Sequence, residues 1–219
     1  MGKSLTLAIF VAVFSSHLAM AAPPAYEADY QGAYYGIGIV ATRSFSCEQT
    51  PTDTVCELRS KAEAALGTIE ETSQFALVSD SAQAIEYHYQ QSFLFSNRTR
   101  SLRFDRADAV AHYSDRKGDK DIALDQPYFD TLNYQFALGQ AAAEGVDLID
   151  LPVLRRGKPA DWQFQLVEDT QLTINGQNYQ ARHYQRVTDD SDKAVDIWLS
   201  PELNGLLLKL VYTEDGKSH

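Results

Sequence analysis

Apolar and polar residues alternate with a period of two along most of this chain. Ile37, Ile39, Ala41 and Phe45 alternate with mostly small or polar neighbours. Ile85, Tyr87 and Tyr89 alternate with Glu86, His88 and Gln90, and Leu102 and Phe104 with Arg103 and Asp105. Trp162, Phe164 and Leu166 repeat the pattern, as do Val195, Ile197 and Leu199, and finally Leu206, Leu208, Leu210 and Tyr212. Each run predicts a strand with one buried and one wetter face, the behaviour of antiparallel sheets. Turn chemistry separates the runs. Asn175-Gly176 between two short apolar stretches is a strong hairpin signal. A polar loop over 114–121 holds Gly118, and Asn204-Gly205 precedes the last strand. Strands at roughly ten-residue spacing predict a sandwich or barrel-like sheet.

One segment departs from this period. Over 127–144, Phe129, Leu132, Phe136 and Ala143 fall on one helical face, with Gly139 between them. Pro127 suits a first helical position and Gly145 a position just past the end. A lone amphipathic helix must bury its stripe against another layer. The expected fold is therefore mainly β: a curved antiparallel sheet, open or half barrel, wrapped around one principal helix at about 127–144.

The N-terminus has a different logic. Lys3 precedes an apolar run from Leu5 to Phe14, and Ala19 and Ala21 give a small-x-small pattern. The run is about ten residues, the length of a signal-peptide core, and a membrane span takes about 20. Residues 1–21 are expected to be a cleaved signal peptide and 22–219 a single exported β-rich domain, with no integral membrane segment in the mature form. The formal net charge is −11, and the leader's one formal charge is Lys3, so the mature part is more acidic still. Such a balance argues against nucleic acid as partner and against electrostatic docking on anionic lipid.

Export changes the reading of Cys47 and Cys56, the two cysteines of the chain. An oxidising compartment favours their bridging. The segment between them holds Thr50, Pro51, Thr52 and Asp53, so we expect a disulfide closing a loop between two strands. Redox catalysis more often uses two cysteines separated by two residues.

Catalytic motifs are absent from the pattern: no phosphate-binding glycine loop, no nucleophile elbow, no histidine pair at zinc spacing. Glu86 and His88 on one strand face come nearest to a catalytic pair. Asp189, Asp190 and Asp192 lack the glycine bend of a calcium loop and read as a solvated hairpin tip. No metal, no cofactor and no catalytic residue is therefore expected. The abundant rings, Tyr26, Tyr30, Tyr34, Tyr35, Phe93, Tyr128 and Tyr134 among them, either fill a core or line an apolar groove.

Several segments resemble a bacterial exported family catalogued as domain of unknown function 3108. They are Tyr26-Glu27-Ala28-Asp29-Tyr30, the stretch from Leu66 to Phe75, Ile85 to Tyr89, Leu102 to Asp105, Phe129 to Gln135, and Asp196 to Leu203. The family commonly carries a proline early in the closing strand, where this chain has Leu206-Leu207-Leu208. The cysteine loop is a local addition. The resemblance implies a periplasmic location in a Gram-negative bacterium and carries over no catalytic residue. By analogy of fold, it also implies a lipoprotein-carrier-like layout. Three readings follow. The first is a non-catalytic protein binding a lipid or other apolar ligand between sheet and helix, lined by Phe129, Leu132, Phe136, Trp162, Phe164, Leu208 and Leu210. The second is a structural or protein-interaction module of the cell envelope with a filled core. The third, ranked last, is an enzyme on envelope polymers.

Overall fold

The computed structural model describes residues 23–78, 81–94, 96–188, 193–215 and 217–218. The expected signal peptide, 1–21, and the acidic run 189–192 lie outside them. Two antiparallel meanders make the architecture. The first runs β1 (Tyr26–Tyr34), β2 (Ile37–Gln49), β3 (Thr54–Ala64), β4 (Gly67–Val78), β5 (Ser81–Phe93), β6 (Ser96–Asp105), β7 (Val110–Asp115) and β8 (Gly118–Ala123). The second runs β9 (Leu148–Arg155), β10 (Lys158–Ile174), β11 (Gln177–Val187), β12 (Lys193–Ser200), β13 (Leu206–Glu214) and β14 (Lys217–Ser218). The connection between them holds α1 (Tyr134–Ala143). This is the mainly β, open architecture that the alternation predicts.

The two sheets do not merge into one ladder. Side chains and short backbone contacts cross the seams instead. At one seam the Tyr30 hydroxyl donates to the Leu207 carbonyl at 2.7 Å. At the other, Lys120 Nζ donates to the Gly157 carbonyl at 2.8 Å. There Phe129 also pairs with Val153 in an isolated parallel bridge. The Asn175-Gly176 hairpin forms as its sequence predicts, with φ of 50° and 78° at the two turn residues and Ile174 opposite Gln177. That double left-handed turn matches the twist of the flanking strands.

The helix is shorter than the pattern predicts. It begins at Tyr134 because the residues before it are committed elsewhere. Phe129 belongs to the bridge to β9. Asp130 Oδ1 accepts the Leu132 and Asn133 amides at 2.7 and 2.8 Å, and Asn133 Oδ1 accepts the Asp130 amide at 2.8 Å. These side-chain bonds make a turn in place of a first helical coil. The far end behaves as expected. Gly145 adopts φ 81°, its amide donates to Ala142, and the Val146 amide donates to Ala141, a Schellman ending.

The helix does not present a single apolar stripe. Tyr134, Leu138 and Ala142 enter a cluster with Phe164, Tyr184, Ile197 and Leu199 of the second sheet. Phe136 points the other way, stacking at 5.3 Å on Phe45 and 5.0 Å from Phe75 of the first sheet. So α1 wedges between the two sheets and joins two core clusters. The Cys47–Cys56 disulfide forms, linking directly opposed residues of β2 and β3.

Candidate functional site

Two of the predicted lining residues fill the space that the groove between sheet and helix would occupy. Leu132 and Phe164 are fully buried in the packed clusters. Phe129 is partly buried between the two clusters. Leu208 and Leu210 miss the packed interior of the second sheet. A bulge opposite Trp198 and Leu199 brings Leu207 against Leu199, so Leu207 is the buried residue of β13 and Leu210 stays 47% exposed. A bulge likewise displaces Ile85 from the inward row, leaving Ala84 and Tyr87 buried around it. Such one-residue insertions shift every later side chain in register. Phe136 and Trp162 border hollows, but two different ones.

The first hollow, about 220 Å³, lies beside the first seam. Tyr26, Phe45, Leu58, Phe136, Leu199 and Leu207 form its apolar wall, and Arg43 enters it. Arg43 is buried; its Nη1 donates to Gln135 Oε1 of the helix at 2.5 Å, while its Nε has no partner.

The second hollow is larger and almost wholly apolar. It measures about 680 Å³ and is lined by Tyr34, Ile37, Ile39, Ala62, Ala64, Ile69, Phe93 and Leu94, among others. The register explains why they share one face. Ile37 stands opposite Tyr34, Ala64 opposite Ile39 and Gly67, Ala62 opposite Ile69, and Gly67 opposite Phe93. The inward side of the first sheet continues through these positions from the core. Phe45 lies eight residues along β2 from Ile37, roughly 26 Å at strand rise. The hollow is thus the end of the open barrel that the helix does not fill. Several of its residues are strongly exposed, Leu94 at 70% and Leu66 at 48%.

The third hollow, about 210 Å³, lies two rungs deeper on the same face. It is polar: Glu71, Tyr87, Tyr89, Arg100, Arg155, Arg156 and Trp162 line it. Tyr87 donates to Glu71 Oε1 at 2.5 Å. Burial holds the Glu71 carboxyl above the usual carboxylate range, against the opposing pull of Tyr87, Arg43 and Arg100. Next to it Asp130 is wholly buried, accepting the Ser73 hydroxyl at 2.6 Å. Desolvation pushes the Asp130 carboxyl up to about 7, although Ser73 and the two backbone amides favour its charged form. No cluster of three or more His, Cys, Asp or Glu side chains among the described residues could hold a metal ion. Glu86 and His88 lie 3.1 Å apart on the exposed face of β5. Nothing in the sequence pattern singled out Arg100, Arg155 or Arg156, because Arg100 on β6 meets the other two only where the β9–β10 hairpin comes against the first sheet.

An open, barrel-like β protein with an unfilled apolar end is the class that this geometry defines. The family model for "Protein of unknown function (DUF3108)" matches residues 26–216, and the chain belongs to that family. Among solved structures, it is similar to a β-barrel-like protein of domain of unknown function DUF1849 from Brucella abortus. The TM-score is 0.52 at 8% identity, covering 84% of this chain and 85% of that one. At that identity the likeness shows the fold alone. A DUF1089 family protein from Pseudomonas aeruginosa aligns over 93% of this chain and 95% of its own, at 11% identity and a TM-score of 0.35, on which no argument rests. No curated protein matches. No helix among the described residues is long and apolar enough to cross a membrane.

Proposed function

We propose that this protein is a non-catalytic periplasmic binder of a lipid or other apolar molecule, held in the open end of the barrel. The observation that carries this is the apolar hollow of about 680 Å³ walled by Ile37, Ile39, Ile69 and Phe93. Contiguous exposed apolar surface on a water-facing protein marks a site of interaction. Its volume falls within the range of ligand pockets, and its apolar lining suits an acyl chain. The site differs from the groove between sheet and helix, where Leu132 and Phe164 already pack. A signal-peptide-like leader and the Cys47–Cys56 bridge support the periplasmic location.

The test is native mass spectrometry on protein purified from its own periplasm without detergent, alongside Ile69→Glu. Ile69 borders the hollow and is only half-buried, so the variant should fold. A bound apolar mass present in the wild type and absent from Ile69→Glu is the expected result. A clean apo mass in both would favour the filled-core module of the envelope, the reading to which the packed helix groove also points.

A further inference from the structure

We infer that the ligand is an amphiphile with an anionic head, bound head inward against Arg100, Arg155 and Arg156. This rests on the lipid-binding reading and adds the chemistry of the head. The apolar hollow does not end at a dry floor. Ile69 lies two residues from Glu71 on one strand face, and Phe93 four from Tyr89. One rung therefore separates the apolar wall from the polar hollow, about 7 Å along a strand. In that polar hollow three guanidinium groups face a single carboxylate, Glu71, whose burial favours its neutral form. Arg186 adds a fourth guanidinium at the edge, 5.2 Å above the Trp162 ring.

Among the described residues no carboxylate lies within 4.0 Å of Arg100, Arg155, Arg156 or Arg186. Asp115 stands opposite Arg100 in the register and attracts it from beyond ion-pair distance, while its carboxylate oxygens accept from the Tyr113 hydroxyl and the Lys117 amide. Arg155 and Arg156 are exposed and Arg100 is half-buried, so in a chain of net charge −11 three guanidinium groups line one hollow at the surface with no carboxylate among the described residues at ion-pair distance. Partial desolvation, and then repulsion from Arg156, Arg186 and Arg100, lower the Arg155 guanidinium's affinity for its proton. An anion entering between them would relieve both. Arginine suits the task, since its planar fork binds a phosphate or carboxylate through paired hydrogen bonds.

The fold holds these groups in place. Arg155 and Arg156 ride on the β9–β10 hairpin tip. Gly157 of that tip lies against Tyr113, where a methyl group would stand 2.7 Å from the ring, and Lys120 binds its carbonyl. Arg100 stacks 4.4 Å over Tyr89, which holds its guanidinium against the ring face. The tail then runs outward past Ile69 and Phe93 toward the barrel mouth.

Titration calorimetry of the oxidised protein with dodecyl phosphate, dodecanoate, dodecan-1-ol and inorganic phosphate tests this. Both anionic amphiphiles should bind at least about tenfold tighter than dodecan-1-ol, the scale of one or more charge-assisted hydrogen bonds. Arg155→Gln with Arg156→Gln, at an exposed hairpin tip, should remove most of that preference, bringing the affinity for the two anions down toward that for dodecan-1-ol. Equal affinity for the alcohol and the anions would overturn the inference and leave the lipid reading standing. So would a preference that the double variant retains. Inorganic phosphate binding as tightly as dodecyl phosphate would make this a small-anion site and overturn it too. Failure of every amphiphile to bind would remove both readings.

Discussion

Gly139 of the helix and Gly205 of the turn before β13 meet backbone to backbone. A methyl group on Gly139 would stand 2.7 Å from the Gly205 carbonyl oxygen. The contact lets α1 lie close on the second sheet, and it pins the turn that feeds the buried Leu207. Neither partner can yield, because both sides are backbone. Gly139→Ala should destabilise by about 1–3 kcal/mol, the usual cost of overpacking, despite alanine's better helix propensity. Gly205→Ala should cost more, since Gly205 also holds φ 75°. Urea unfolding of the two variants measures both.

The Asp130 carboxyl anchors the helix start to β4 through Ser73. Its folded-state pKa is raised from 3.8 to about 7 by burial, so the native state holds this proton over a range where the unfolded chain has lost it. The contribution of Asp130 to stability is therefore fully present below about pH 4 and falls as pH rises toward 7. Glu71, Tyr87, Ser73 and Asn133 are the polar groups around it. Asp130→Asn keeps an acceptor for the two amides and donates to Ser73. It should flatten stability between pH 4 and 7 and exceed the wild type at pH 8, by on the order of a few kcal/mol. An unchanged pH profile in chemical denaturation would count against a buried, protonated Asp130.

Phe136 and Phe164 offer a graded comparison. Phe164 is fully buried, whereas Phe136 borders the hollow beside Arg43. Phe164→Ala should cost about 3–5 kcal/mol. Phe136→Ala should cost less, roughly 2–3 kcal/mol, because part of its ring is already unpacked. Thermal unfolding with the disulfide intact distinguishes them.

The cross-strand bridge between Cys47 and Cys56 closes a short hairpin loop. Replacing both by serine should lower stability by about 2–3 kcal/mol on the chain-entropy argument. For a domain of this size that is roughly a 5–10 °C fall in Tm. Cys56 is also wholly buried, so Cys56→Ser alone should lose more than Cys47→Ser. Calorimetry on the three variants checks the order.

The strands, the Asn175-Gly176 hairpin, the glycine ending of the helix and the disulfide were legible because each depends on a few neighbouring residues. Period-two alternation is imposed by the strand itself. A glycine at Gly145 or Gly176 reports a local left-handed turn. The helix start was not legible, since it depends on Phe129 being drawn to Val153 and on where Asp130 spends its acceptors. The bulges beside Ile85 and Leu208 were hidden for a related reason. A sequence does not show where one strand inserts an extra residue against another.

The sequence by itself determined that this chain builds antiparallel strands around a helix and bridges its two cysteines, because local sterics, turn chemistry and solvent exposure act residue by residue. Which apolar residues fill the interior and which line an opening was decided only in the tertiary structure. Leu132 and Phe164 became core, while Ile39, Ile69 and Phe93 became the wall of an unfilled end. The convergence of Arg100 with Arg155 and Arg156 was decided there too. Residues so far apart in sequence are brought together only when one sheet's hairpin tip docks on the other sheet, a contact to which local propensity is blind.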